Sequence, residues 1–137
     1  MSSAGIPQEA KLPSSAREPS AAVLYVCAAR SPSSPDLAAE RAEQEGHEYA
    51  AERGLRVMEV VTDPYGEPDP SRREGWRRVQ AMAAAGSIAV VLVRWPVVIA
   101  PESRHEDRYR EVARLQELGV SVRYTWAPLA ASNEETP

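Results

Sequence analysis

Four arginines fall within seven residues at Arg72, Arg73, Arg77 and Arg78, the densest positive charge in the chain. Guanidinium forks bind phosphate bidentately, and a helix starting here would add its free amides. The spacing of four puts Arg73 and Arg77 on one face, with Arg72 and Arg78 to either side. These four are the candidate anion or DNA contact; the bland alternative is a solvated helix face neutralised by Glu74 and its neighbours. A second group is Arg30 with Ser31, Ser33 and Ser34, hydroxyls beside an arginine but with no base near them in sequence. Its ordinary reading is a Ser/Pro turn before a helix capped by Asp36. The third is the run Trp95, Pro96, Val97, Val98, Ile99, Ala100 and Pro101, which offers no acid, base, hydroxyl or amide. Such a run is either buried or an apolar partner surface, and Trp95 to Ile99 are the candidate contacts.

Other chemistries are thinly supplied. Cys27 is the sole cysteine, which excludes an internal disulfide, and only His47 and His105 could join it at a metal. No metal site is expected. The first loop has no glycine, so it forms no phosphate cradle of the dinucleotide or P-loop type. No cofactor is expected.

The elements that must position these groups alternate. Ala21 to Ala29 is a continuous apolar run that predicts a buried strand. A helix follows from about Leu37 to Arg53, stopped at Gly54. Leu55 to Val61 predicts a second strand, followed by a turn from Asp63 to Pro70. A second helix is expected from Ser71 as N-cap, with Glu74 as capping-box partner and Gly86 as stop. Ile88 to Arg94 predicts the most buried strand. A helix from about Glu102 to Leu118 ends at Gly119, and Val120 to Trp126 predicts a fourth strand. This β-α-β-α-β-α-β order predicts a three-layer α/β fold, a mainly parallel sheet with helices on both faces. Ligands in such folds gather beyond the carboxyl ends of the strands, where all three candidate groups lie.

The chain has 137 residues. Residues 1–21 and 130–137 are rich in Pro, Ser, Ala and Glu without apolar periodicity and are expected to be disordered tails. Residues 22–129 are then one domain, with no room for a second. The net charge is −4, and the expected domain holds fourteen basic against sixteen acidic residues. The strongly basic footprint of a free-standing nucleic-acid binder is missing. Fifteen of the sixteen basic residues are Arg, a skew that a GC-rich genome would also produce. No signal-peptide pattern and no apolar run of about 20 residues is present, so a cytoplasmic protein without a membrane span is expected.

Across residues 22–126 the chain resembles the catalytic domain of the serine recombinases, the resolvase and invertase family. The resemblance lies in AVLYV, EYAAERGLRVMEVVTD, SRREGWRRVQAMAAAGSIAVVLV and LQELGVSVRY, in order and spacing. Members of that family cut DNA through a phosphoserine link, and the first strand typically continues as Tyr-x-Arg-x-Ser. Here Cys27 holds the arginine position and Ala29 the serine position. Beyond the third strand the family supplies an acid and two arginines, where this chain has Val97, Val98 and Pro101. Only the arginine preceding a glycine near the second helix has an equivalent, Arg73 in Arg73-Glu74-Gly75-Trp76.

The resemblance thus implies the recombinase framework with its chemistry erased. Phosphoryl transfer depends on positive charge aimed at the phosphate oxygens, and loss of one such donor commonly costs on the order of 100- to 1000-fold. The chain ends eleven residues after Trp126, so neither the family's dimerising helix nor its DNA-reading region is expected. The expected function is a non-catalytic homologue acting as a protein-binding or regulatory module, through another protein or self-association, with DNA bound weakly if at all. The alternative is an active or accessory recombinase using a displaced serine, Ser31 foremost.

Overall fold

Along the first strand, Val23 and Tyr25 pack into one cluster of buried side chains while Ala22, Leu24 and Val26 pack into another. A strand buried on both faces needs cover on both, and the chain supplies it. The computed structural model describes residues 19–130. β1 (Ser20–Val26), β2 (Leu55–Thr62), β3 (Val90–Val93) and β4 (Ser121–Tyr124) form one parallel sheet in the order β2-β1-β3-β4. α1 (Leu37–Glu52) covers one face through Ala42, Tyr49 and Ala50. α2 (Glu74–Ala84) and α3 (His105–Glu117) cover the other, burying Trp76, Val79, Ala83 and Leu115. The expected three-layer α/β architecture is the observed one.

Gly46 sets the distance between α1 and β1. A Cβ there would lie 2.5 Å from a Leu24 methyl, so the helix could not sit this close with a larger residue.

Several boundaries differ from expectation: β1 ends at Val26 rather than Ala29, β3 and β4 span four residues each rather than seven, and α3 starts at His105 after a 3-10 turn over Glu102–Arg104. β1 begins at Ser20, inside the segment expected as tail, because its first two residues pair with Leu55 and Arg56. Residues 127–130 are helical, and Ala130 packs into the cluster beneath α1. The remainder of both expected tails lies outside the described residues. The second helix starts at Glu74 rather than after Ser71. Ser71 lies in a 3-10 turn (Pro70–Arg72) whose cap is Asp69, accepting from the Ser71 amide at 3.0 Å. Arg73 is the residue before α2, with extended backbone, so the expected Ser71/Glu74 capping box is not formed.

Asp63, at the end of β2, takes over the capping. Its Oδ1 accepts the Gly75 amide at 2.7 Å and its Oδ2 the Trp76 amide at 2.9 Å. A carboxylate on free helix amides is favourable through both hydrogen bonding and the helix dipole. The carboxylate fits because residue 75 is glycine: a Cβ would lie 2.7 Å from Asp63 Oδ2.

Candidate functional site

The strand order reverses between β1 and β3, which opens a crevice at their carboxyl ends. Cys27, Ala28 and Ala29 leave β1 on one side of it; Trp95, Val97 and Val98 leave β3 on the other. Tyr65 and Arg73 complete the walls. Two cavities occupy the crevice. One of about 100 Å³ is lined by Cys27, Tyr65, Glu67, Arg73, Val98 and Pro101 among others. The other, about 270 Å³, is lined chiefly by Ala28, Ala29, Ala38, Tyr65, Trp95 and Val97. Tyr65 and Val97 are exposed at the mouth.

Arg73 is buried at the centre, and its Nε and Nη1 donate internally. Nε donates to the Glu67 carbonyl at 2.8 Å, and Nη1 donates to the Val98 carbonyl at 2.6 Å and to the Tyr25 hydroxyl at 3.5 Å. All three acceptors are neutral, so among the described residues no carboxylate is bonded to this buried cation. The Tyr25 hydroxyl itself donates to Asp63 at 2.6 Å. Burial, followed by that bond to a carboxylate, pushes the Tyr25 phenol far above its ordinary range. The Cys27 thiol lies 3.6 Å from the Pro64 carbonyl, and burial raises its pKa despite the opposing charge of Arg73. A neutral thiol of this kind is a poor nucleophile.

The arginine cluster expected from the sequence is divided. Arg73 is buried as described, and Arg78 is paired with Glu59 at 2.6 Å through Nη2. Arg72, Arg77 and Arg78 are all exposed, and of these Arg78 is held by Glu59. The four do not share one face because Arg73 precedes α2 in extended conformation, which turns its side chain inward.

The apolar loop is also corrected in part. Pro96–Val98 forms a 3-10 turn that directs Val98 and Ile99 into the core, and both are buried. Trp95 is half-buried, packed edge-on against Trp126 at 5.4 Å with the Arg94 guanidinium 4.4 Å from its ring. Val97 and part of Trp95 and Pro96 remain open to a partner, a smaller surface than the five residues expected.

Ser31 lies on the exposed surface, its hydroxyl 3.3 Å from that of Ser33. It lines neither cavity, and none of Arg73's hydrogen bonds reaches it. Arg30 pairs instead with Asp36 at 3.2 Å, and Asp36 makes no side-chain cap to α1. Ala29 is exposed beside the larger cavity.

Sequence reasoning missed Tyr25, Asp63 and Tyr65 as parts of the site. The signal for Tyr65 was an aromatic residue inside a turn rich in Pro and Gly, where a side chain is exposed unless something contacts it. Nothing local marks Asp63 and Tyr25, whose roles arise from positions 12 and 48 residues away from their partners.

No family profile matches the chain, and no curated protein sequence does. Among solved structures, it superposes on the C-terminal catalytic domain of ISC1926 TnpA, an IS607-like serine recombinase, with a TM-score of 0.66 and 20% identity over 84% of this chain and 77% of that one. It also superposes on the N-terminal catalytic domain of TP901-1 integrase, with a TM-score of 0.60 and 16% identity over 84% of this chain and 95% of that one. The chain has the fold of a serine recombinase catalytic domain. A third neighbour, the first open reading frame of transposon ISC1904 from Sulfolobus solfataricus P2, gives a TM-score of 0.53 at 16% identity over 75% of this chain and 65% of that one. Among the described residues of this serine recombinase-like domain, no His, Cys, Asp and Glu cluster could hold a metal ion. None of their helices is long and apolar enough to cross a membrane.

Proposed function

We propose that this domain is a non-catalytic homologue of the serine recombinase catalytic domain that serves as a protein-binding or regulatory module. The observation that carries the reading is the state of Arg73, whose guanidinium is bonded to the Val98 and Glu67 carbonyls. The one arginine retained from the family pattern thus braces the crevice walls. The other family positions hold Cys27, Ala29, Val97, Val98 and Pro101, which leave no nucleophile and no second cation to receive a phosphate.

The binding element is the mouth of the crevice, where Tyr65 and Val97 stand exposed above an apolar cavity. Arg72 and Arg77, both exposed, supply an accessory anion contact. The partner is another protein or a second copy of the chain, and DNA is held weakly if at all. A cytoplasmic location accompanies this reading.

Size-exclusion chromatography with light scattering, joined to capture of partners from the native host, tests it. Wild type is expected to self-associate or to retain a partner that the Val97→Asp, Tyr65→Asp double variant releases. A monomer that captures nothing overturns the reading.

A further inference from the structure

On the α1 side of the sheet, β4 is incompletely covered. Its register places Ser121 beside Val90 and Arg123 beside Leu92, so polar residues of β4 continue the face whose apolar part lies under α1. A trench of about 540 Å³ lies between α1 and the chain leaving β4. Glu45, Glu48 and Glu52 line it from α1, with Arg53, while Trp126 lines it from the far side.

Two features of the trench point to an occupant. The first is charge. Arg94 reaches Glu45 at 2.8 Å and Arg53 reaches Glu52 at 3.1 Å, but among the described residues Glu48 accepts only from the Gln44 amide at 3.2 Å. Three carboxylates therefore face two guanidiniums. The second is independent of charge: Tyr49 and Thr125, 3% and 5% exposed, line the trench from its floor. Neither Tyr49 Oη nor Thr125 Oγ1 has a hydrogen-bond partner among the described residues. Buried hydroxyls are normally satisfied, and each of these can accept a hydrogen bond from a donor brought to the trench.

We propose that this trench binds an organic cation bearing an ammonium or guanidinium group. The excess carboxylate of Glu48 supplies the counter-charge, the two hydroxyls accept from the cation, and the half-exposed Trp126 offers an aromatic surface to it. An anion is disfavoured by the three glutamates. A bare metal ion is disfavoured because these carboxylates do not converge into a ligand cluster among the described residues. The inference does not depend on the function proposed for the crevice.

Calorimetric titration of the full chain at low salt tests it, with spermidine and the peptide Gly-Arg-Gly as probes and Gly-citrulline-Gly as the uncharged control. Saturable binding of at least one cation is expected, with none of the citrulline peptide. The tighter of the two cations identifies the source as polyamine or basic peptide. Tyr49→Phe removes a hydroxyl that has no protein partner, so the melting temperature should not fall, while affinity drops roughly three- to tenfold, the size of one hydrogen bond. Glu48→Gln is expected to weaken binding about threefold or more, as loss of an exposed charge partner would. No saturable binding of either cation overturns the proposal. So does equal binding of the citrulline peptide, or wild-type affinity in both variants.

Discussion

Arg73 donates to the main-chain carbonyl of Val98 across 2.6 Å, joining the start of α2 to the loop that follows β3. The loop offers its backbone oxygen to the guanidinium. The arginine becomes a strut.

A strut has a stability signature. Arg73→Ala leaves the Val98 and Glu67 carbonyls without this donor and removes the packing of the buried stem, so unfolding free energy should fall by about 2–4 kcal/mol in urea titration. Arg73→Lys should recover only part of it, because an ammonium cannot reproduce the guanidinium fork. An Arg73→Ala protein as stable as wild type would show that the bonds contribute nothing.

Gly75→Ala forces a methyl against the Asp63 carboxylate, which is fixed by Tyr25 and by two amides. Destabilisation of about 1–3 kcal/mol is expected, the range for lost caps and overpacking. Asp63→Ala should cost a similar amount, and the double variant Asp63→Ala, Gly75→Ala less than the sum, since the clash disappears with the carboxylate. Additive losses would contradict the coupling.

The strands, the helix stops and the three layers were legible in the sequence because apolar runs and turn glycines act locally. Ser71 shows where local rules fail: its capping pattern was present, but Asp69 claimed its amide and Asp63 claimed those of the helix. The arginine cluster misled for a related reason. Periodicity puts Arg73 and Arg77 on one face only if both are helical, and an extended backbone at Arg73 breaks that premise. In the apolar loop, sequence could not say that Val98 and Ile99 turn inward while Val97 does not.

Alkaline pH should destabilise the fold. The Tyr25 and Tyr124 phenols and the Cys27 thiol all have pKa values raised by burial as the leading cause. Above the ordinary thiol value of 9.0 and phenol value of 10.0, the unfolded chain loses protons that the folded chain keeps. Stability is therefore full below pH 9 and declines as pH rises through these values. Urea titrations between pH 7 and 11 check this, and Cys27→Ala should flatten the first part of the decline. Iodoacetamide should label Cys27 at least about tenfold more slowly in the native protein than in urea, as expected for a buried neutral thiol.

Arg78 is exposed but paired with Glu59, which leaves Arg72 and Arg77 of the exposed basic cluster for an anion, and two phosphate contacts give only a shallow salt dependence. Any gel shift at low salt should be weakened by Arg72→Ala and Arg77→Ala and abolished near 150 mM salt, about physiological strength. Tight DNA binding that persists at that strength would contradict the weak-DNA reading.

The central claim, an absent strand-cutting chemistry on a recombinase fold, is tested most directly with supercoiled plasmid. The protein is incubated with plasmid at low salt, quenched with denaturant and assayed for protein covalently joined to DNA through serine. No adduct and no nicking are predicted, with wild type indistinguishable from the Ser31→Ala, Ser33→Ala, Ser34→Ala triple variant. An adduct formed by wild type and lost in the triple variant would contradict the account.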